Sequence, residues 1–235
     1  MKKLSITCAL LSVSAALSQA SVISLTPVNG PGNYPYLGFV VGPASSSDNL
    51  NSGSPNYALL TEANFTAAGV GPTASGNAYS AKNDETTVFM IDGSGNITAQ
   101  WVNTNLSMPT TTLVYLPGSD GLLITGDFTA FDAAFPGGFT VRFSYVPSNA
   151  TTGLIQVFNA NTNASVGYVN ESYTNSVNKR FGITANSASA LIINDPIGTV
   201  TPEPASTSLF TAALGLLWLV RKSSGSLPDP GNRND

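Results

Sequence analysis

The chain has no histidine, and its single cysteine, Cys8, falls in an N-terminal stretch that reads as a removable leader. Without histidine and without a cysteine in the exported chain, neither a Ser-His-Asp triad nor a Cys-His pair can be assembled, which removes the commonest hydrolase chemistries. The same two absences exclude a structural zinc site of the Cys/His kind and any intramolecular disulfide. The fold must then rest on burial and hydrogen bonding, and 235 residues are enough to bury a core of the necessary size. Charge is scarce as well, at 9% of residues. Between Ser21 and Val200 ten acidic residues face four basic ones, Lys82, Arg142, Lys179 and Arg180. A surface of that sign repels nucleic acid, so no nucleic-acid partner is expected. Asn, Ser, Thr and Gly carry the polarity instead, a balance that suits a β-rich exported protein better than a helical cytosolic enzyme.

The two ends carry signals. Met1 to Ala20 has Lys2 and Lys3, an apolar stretch from Leu4 to Leu17, and Ser18-Gln19-Ala20 with small residues at the two recognition positions. That is the layout of a secretory signal cleaved after Ala20, and it implies the secretory translocon and signal peptidase as partners. At the other end Thr201-Pro202-Glu203-Pro204 precedes an apolar run from Ala205 to Val220, then Arg221-Lys222 and a polar tail from Ser223 to Asp235. The prolines fix their own φ and push the residues before them out of the α region, so the entry to the run is stiff and extended. As a helix the run would rise about 24 Å, short for a hydrocarbon core of about 30 Å. Its apolar residues face every direction, so no polar stripe fits it to a water-soluble core. Trp218 suits the headgroup region, and Arg221 and Lys222 act as a stop that keeps the terminus on the cytoplasmic side.

Pro202, Glu203 and Pro204, the short apolar helix and the Arg221-Lys222 stop together resemble the C-terminal sorting segment of the PEP-CTERM proteins. The resemblance covers about a tenth of the chain. It implies an exosortase-like membrane protease as a partner, transient anchoring in the inner membrane, and an association with exopolysaccharide-producing bacteria. It implies nothing about what the body of the chain binds.

The body, residues 21 to 200, reads as a single all-β domain. Short apolar runs punctuated by turn residues occur at Val22 to Leu25, Tyr36 to Val41, Tyr57 to Leu60, Thr87 to Ile91, Asn96 to Val102, Thr111 to Leu116, Gly121 to Thr125, Phe139 to Val146, Leu154 to Phe158, Ser165 to Val169, Arg180 to Ala185 and Ala190 to Ile193. Such spacing predicts an antiparallel β-sandwich, jelly-roll-like in arrangement. Hairpins are expected at Asp92-Gly93-Ser94-Gly95 and at Pro117-Gly118-Ser119-Asp120-Gly121. Phe139, Val141, Phe143 and Tyr145 alternate with Thr140, Arg142 and Ser144, which predicts one core face and one wet face. One short helix interrupts the strands at Asp127 to Phe135. Phe128, Phe131 and Phe135 share its apolar side, with Asp127 or Gly126 at its entry.

Candidate chemistry is thin. A glycosidase needs two carboxylates across a cleft, which Asp84, Glu85, Asp120, Asp127 and Asp132 could supply. Adjacent in sequence, however, Asp84 and Glu85 point to different sides and read as a solvated turn, while Asp127 reads as a helix cap and Asp132 as the wet face of that helix. Asp92-Gly93-Ser94-Gly95-Asn96 begins like a calcium loop, but Ile97 and Asn103 stand where an EF-hand needs glycine and a bidentate glutamate. No metal or cofactor is therefore expected. Trp101 and Tyr36, with Tyr34 and Tyr173, are the aromatics that could stack on sugar rings. The expected class is an exported, noncatalytic surface or extracellular-matrix protein. Two other classes remain open: a secreted carbohydrate-binding module, which would show exposed coplanar aromatics, and a secreted glycosidase or lyase, which would show paired carboxylates of raised pKa.

Overall fold

The structure, a computed structural model, describes residues 22–30, 33–173 and 179–196, which carry thirteen strands, two 3-10 turns and one α-helix. The strands are β1 (Ile23–Ser24), β2 (Tyr36–Val41), β3 (Tyr57–Ala63), β4 (Asp84–Glu85), β5 (Thr87–Ile91), β6 (Asn96–Ala99), β7 (Thr112–Leu116), β8 (Gly121–Thr125), β9 (Phe139–Pro147), β10 (Thr152–Asn159), β11 (Ser165–Tyr173), β12 (Lys179–Thr184) and β13 (Ile192–Asn194). The helix α1 spans Phe128–Ala134. All described residues fall within one compact unit that ends at Pro196. The expected all-β class holds, since the described strand pairings are all antiparallel.

Strand β9 organises the layers. β10 pairs along nearly the whole of one of its edges, from Asn159↔Val141 to Gly153↔Pro147. The other edge is divided, with Phe139 and Thr140 against β7 and Phe143 and Ser144 against β6. A strand that serves two sheets in turn makes the corner at which one sheet folds over another. On one side lie β7, β8, β3, β2 and β4; on the other lie β6, β5 and β1, with β10 leading to β11, β12 and β13. Their inward residues merge in one core: Leu37, Phe39, Ala58, Leu60, Leu122 and Ile124 from the first group meet Phe89, Ile97, Val141, Phe143, Ile155, Val157, Val169 and Phe181 from the second. The alternation expected along Phe139 to Tyr145 is present, with Val141, Phe143 and Tyr145 buried and Arg142 on the wet face over the Phe158 ring.

Every residue of β3 and of β8 is buried, because α1 covers much of the side turned away from the main core and β12 meets Thr61 there. Val40, Tyr57, Leu59, Val114 and Leu123 pack there with Phe131, and Phe128 and Phe135 close the edges. Tyr57 meets the Phe131 and Phe135 rings edge-on at 5.4 and 5.3 Å. Asp127 caps the helix, accepting from the Ala130 amide at 3.0 Å, and also accepts from the Gly53 amide at 2.8 Å.

Both expected hairpins form. Asp92 accepts from the backbone amides of Ser94 and Asn96 and from the Asn96 side chain, and Gly95 supplies the positive φ of +81° that the reversal requires. The calcium-like spacing is thereby accounted for by a turn. In the second hairpin Pro117–Ser119 forms a 3-10 turn and Asp120 enters the left-handed region. Asp120 then accepts from the Tyr115 hydroxyl and the Ile183 amide, tying the turn to β12.

The segment expected to be a solvated turn at Asp84-Glu85 is instead strand β4, paired with Val40 and Phe39 of β2. Asp84 and Glu85 are wholly buried. They do point to opposite sides, as neighbours on a strand must, but each meets protein donors in place of water.

Candidate functional site

The buried carboxyl groups are the chemically distinctive feature of this body. Asp84 accepts from the Ser75 hydroxyl and, at 3.0 Å, from Asn77 Nδ2. Burial still pushes its carboxyl up, because those hydrogen bonds only partly offset the loss of water. Glu85 faces the main core and accepts from the Val102 amide through both oxygens, at 3.3 and 3.1 Å. Desolvation, with the nearby Asp84 charge as a smaller contribution, raises it to about 9, so it carries a proton at neutral pH.

Glu62 is the third such group. It lies on β3 two residues beyond Leu60 and so on the same inward side, opposite Leu37 of β2. It is 1% exposed, and neither carboxyl oxygen has a hydrogen-bond partner. Burial first and the Glu171 carboxylate second raise it to about 7, and Lys179 opposes them. Glu171 stands two residues beyond the core residue Val169 on β11, and Lys179 opens β12. β11 and β12 are paired, and β12 approaches β3 directly, the Thr61 hydroxyl donating to the Lys179 carbonyl at 2.9 Å, so Glu62, Glu171 and Lys179 converge at one end of the core. A chain segment closes that end: a Cβ on Gly30 would sit 1.9 Å from Glu62 Oε1, so any larger residue there would push the carboxyl aside.

A carboxyl half-protonated near neutrality beside a second carboxylate is what general acid and base work requires. Access is what it lacks in this conformation. Among the described residues no group of three or more acidic, histidine or cysteine side chains is placed to hold a metal ion.

The aromatic candidates separate. Trp101 is 0% exposed, and its indole N–H donates to the Asp48 carbonyl at 2.9 Å. Its reading as a sugar-stacking residue is corrected, since a ring enclosed on all sides offers no face to a ligand. Tyr36 is half-buried on the outer side of β2, its ring 5.5 Å from that of Phe65, which is 57% exposed, with the planes tilted by 58°. Tyr34 lies close by, near Gly76 and Asn64. Tyr173 ends β11. Ala20, Pro202, Glu203, Pro204, Arg221 and Lys222 lie outside the described residues. No helix among the described residues is long and apolar enough to cross a membrane.

Sequence reasoning did not single out Glu62 and Glu171. The expected strands Tyr57 to Leu60 and Ser165 to Val169 run on to Ala63 and Tyr173, and period-two alternation over that added length puts both carboxylates on the inward side. Comparisons with protein-family models, with curated proteins and with solved structures find no match to this chain.

Proposed function

We propose that the chain is an exported, noncatalytic surface or extracellular-matrix protein, its body a jelly-roll-like antiparallel β-sandwich and its C-terminal segment a PEP-CTERM sorting signal. One observation carries the reading: a histidine-free, cysteine-free β body is bracketed by Met1 to Ala20 at one end and by Pro202-Glu203-Pro204, an apolar run and Arg221-Lys222 at the other. On this reading the translocon and signal peptidase deliver the body, the apolar run holds it briefly in the inner membrane, and an exosortase-like protease releases it to the cell surface or an exopolysaccharide matrix. The enclosed state of Asp84, Glu85 and Glu62 supports the noncatalytic part, because each carboxyl is enclosed by the fold instead of facing a cleft.

Replacing Pro202-Glu203-Pro204 with alanines separates sorting from plain anchoring. A processing enzyme that reads the extended triplet should leave the variant full-length in the inner membrane, while the native chain yields a shorter form lacking residues near 205 to 235. A fractionated blot against the body reads both size and place. Equal size and location for the two would remove the sorting signal from the proposal. Polysaccharide cleavage by the native chain that disappears in Glu62→Gln would remove the word noncatalytic.

A second reading, a carbohydrate-binding module, draws on the exposed Phe65 ring, beside which Tyr36 stands tilted by 58° and half-buried, so the pair offers one stacking face and no coplanar platform. Here Phe65→Ala should weaken retention on an immobilised polysaccharide about tenfold while leaving stability within about 0.5 kcal/mol. Unchanged retention would dispose of it.

A further inference from the structure

We propose that Thr26–Gly30 is a proton-operated strap, closed over the end of the core while Glu62 is neutral and released when Glu62 ionises.

Among the described residues, the hydrogen bonds of the strap run to one side. The Val28 amide donates to the Ile192 carbonyl at 2.7 Å, and the Asn194 amide donates to the Thr26 carbonyl at 2.9 Å. Asn29 adds two bonds from its side chain, donating to the Ala190 carbonyl at 3.1 Å and accepting from the Ile192 amide at 2.7 Å. All four join the strap to β13 and the residues just before it. Gly30 lies against the Glu62 carboxyl, neither of whose oxygens has a hydrogen-bond partner. A neutral carboxyl tolerates such a contact, whereas an anion there has lost its water and gained no donor.

The surroundings set the direction. From β11 Glu171 faces Glu62 with a like charge, and from β12 Lys179 faces it with an opposite one. Strap residues Thr26, Pro27, Val28, Asn29 and Gly30 carry no charge, and Leu37, the β2 residue opposite Glu62, is apolar. Asp84 pairs with Val40 on the other side of that sheet, and Arg180 acts on Tyr57. Burial and the Glu171 repulsion therefore outweigh one lysine, and the folded chain relieves an ionised Glu62 most readily by lifting the strap, since the other groups around Glu62 sit on paired strands. Lifting it admits water to Glu62, beside the part-exposed Glu171 and Lys179.

Hydrogen exchange on the full chain in mild detergent tests this, with protection corrected for the intrinsic rate at each pH. On the Glu85→Gln background, which removes the larger pH-dependent loss of global stability, the Val28, Ile192 and Asn194 amides should lose protection roughly tenfold or more between about pH 6 and about pH 8.5, while the Gln100 amide, bonded to Val88, should not. Glu62→Gln, which cannot ionise, should hold the strap closed throughout. Should that variant fail to fold, Glu171→Gln supplies the second reading, because removing the like charge should move the transition to lower pH, and Lys179→Met should move it higher. An equal loss at Gln100, no loss up to about pH 9, or a midpoint indifferent to Glu171 and Lys179 would overturn the proposal.

Discussion

Taken from about pH 5 to about pH 10, the chain should lose several kcal/mol of stability, and Glu85 should account for most of the loss. Its folded carboxyl keeps a proton up to about 9, against an ordinary value of 4.5. Throughout that window the folded state binds more protons than the unfolded state, so each step upward in pH favours unfolding. At about 1.4 kcal/mol per pH unit the upper bound is about 6 kcal/mol for Glu85. Glu62, raised to about 7, adds at most about 3 kcal/mol over a window that closes two units earlier. Such losses are comparable with the whole stability of a domain, which is about 5–15 kcal/mol. Asp92 and Asp127 work the other way, their carboxyls held below the usual range by hydrogen bonds to Asn96 and to the Ala130 amide. What they contribute is lost only on the acid side, as pH falls through those lowered values. Urea unfolding at a series of pH values reads the slope. In Glu85→Gln the neutral amide still accepts from Val102, so the decline between about pH 7 and about pH 9 should nearly vanish, at a cost of about 1 kcal/mol near pH 6. A native chain whose stability is level from pH 6 to 9, or a variant that keeps the full slope, would refute the assignment.

Much of this body was legible because its strands announce themselves twice, by apolar alternation and by the turn residues between them. Tyr36–Val41, Thr87–Ile91 and Gly121–Thr125 have the limits expected from sequence, and the helix over Phe128–Ala134 carries its Asp127 cap. The failures share a cause. The expected strands stop at Leu60 and Val169 and the expected turn leaves Asp84-Glu85 in water, yet all these carboxyls lie within strands. What decides their position is tertiary: the donors at Ser75, Asn77 and Val102 come from distant parts of the chain, and no local window contains them. The same limit hid Gly30, whose close approach to the Glu62 carboxyl, thirty-two positions away, no local window contains. The layer arrangement was legible only as a class, because it depends on the division of β9 between β7 and β6, which no property of Phe139–Pro147 itself encodes.

Truncating Trp101 to alanine should cost about 4 kcal/mol, the largest single loss expected from any side chain in the body. The ring is the largest wholly buried side chain among the described residues and belongs to the main core. Its neighbours make the site a junction. Val102 donates to Glu85 of β4, and Asn103 accepts from the Leu50 amide at 2.9 Å while donating to Asn51 at 2.8 Å. With the indole N–H on the Asp48 carbonyl, Trp101–Asn103 thus holds the long loop between β2 and β3 against the core. Loss of the ring removes its packing and leaves both a cavity and an unpaired carbonyl, costs that add. Trp101→Phe keeps most of the packing and removes the donor, so it should lose about 1–2 kcal/mol. Phe65→Ala, at an exposed ring, should lose less than about 0.5 kcal/mol. Urea unfolding followed by circular dichroism compares the three, since fluorescence would lose its reporter with Trp101. The order alanine, then phenylalanine, then the Phe65 variant identifies Trp101 as the pin of that loop. A Trp101→Ala chain within about 1 kcal/mol of the native one would mean that the ring is not packed as described, and would return it to the candidates for ligand stacking.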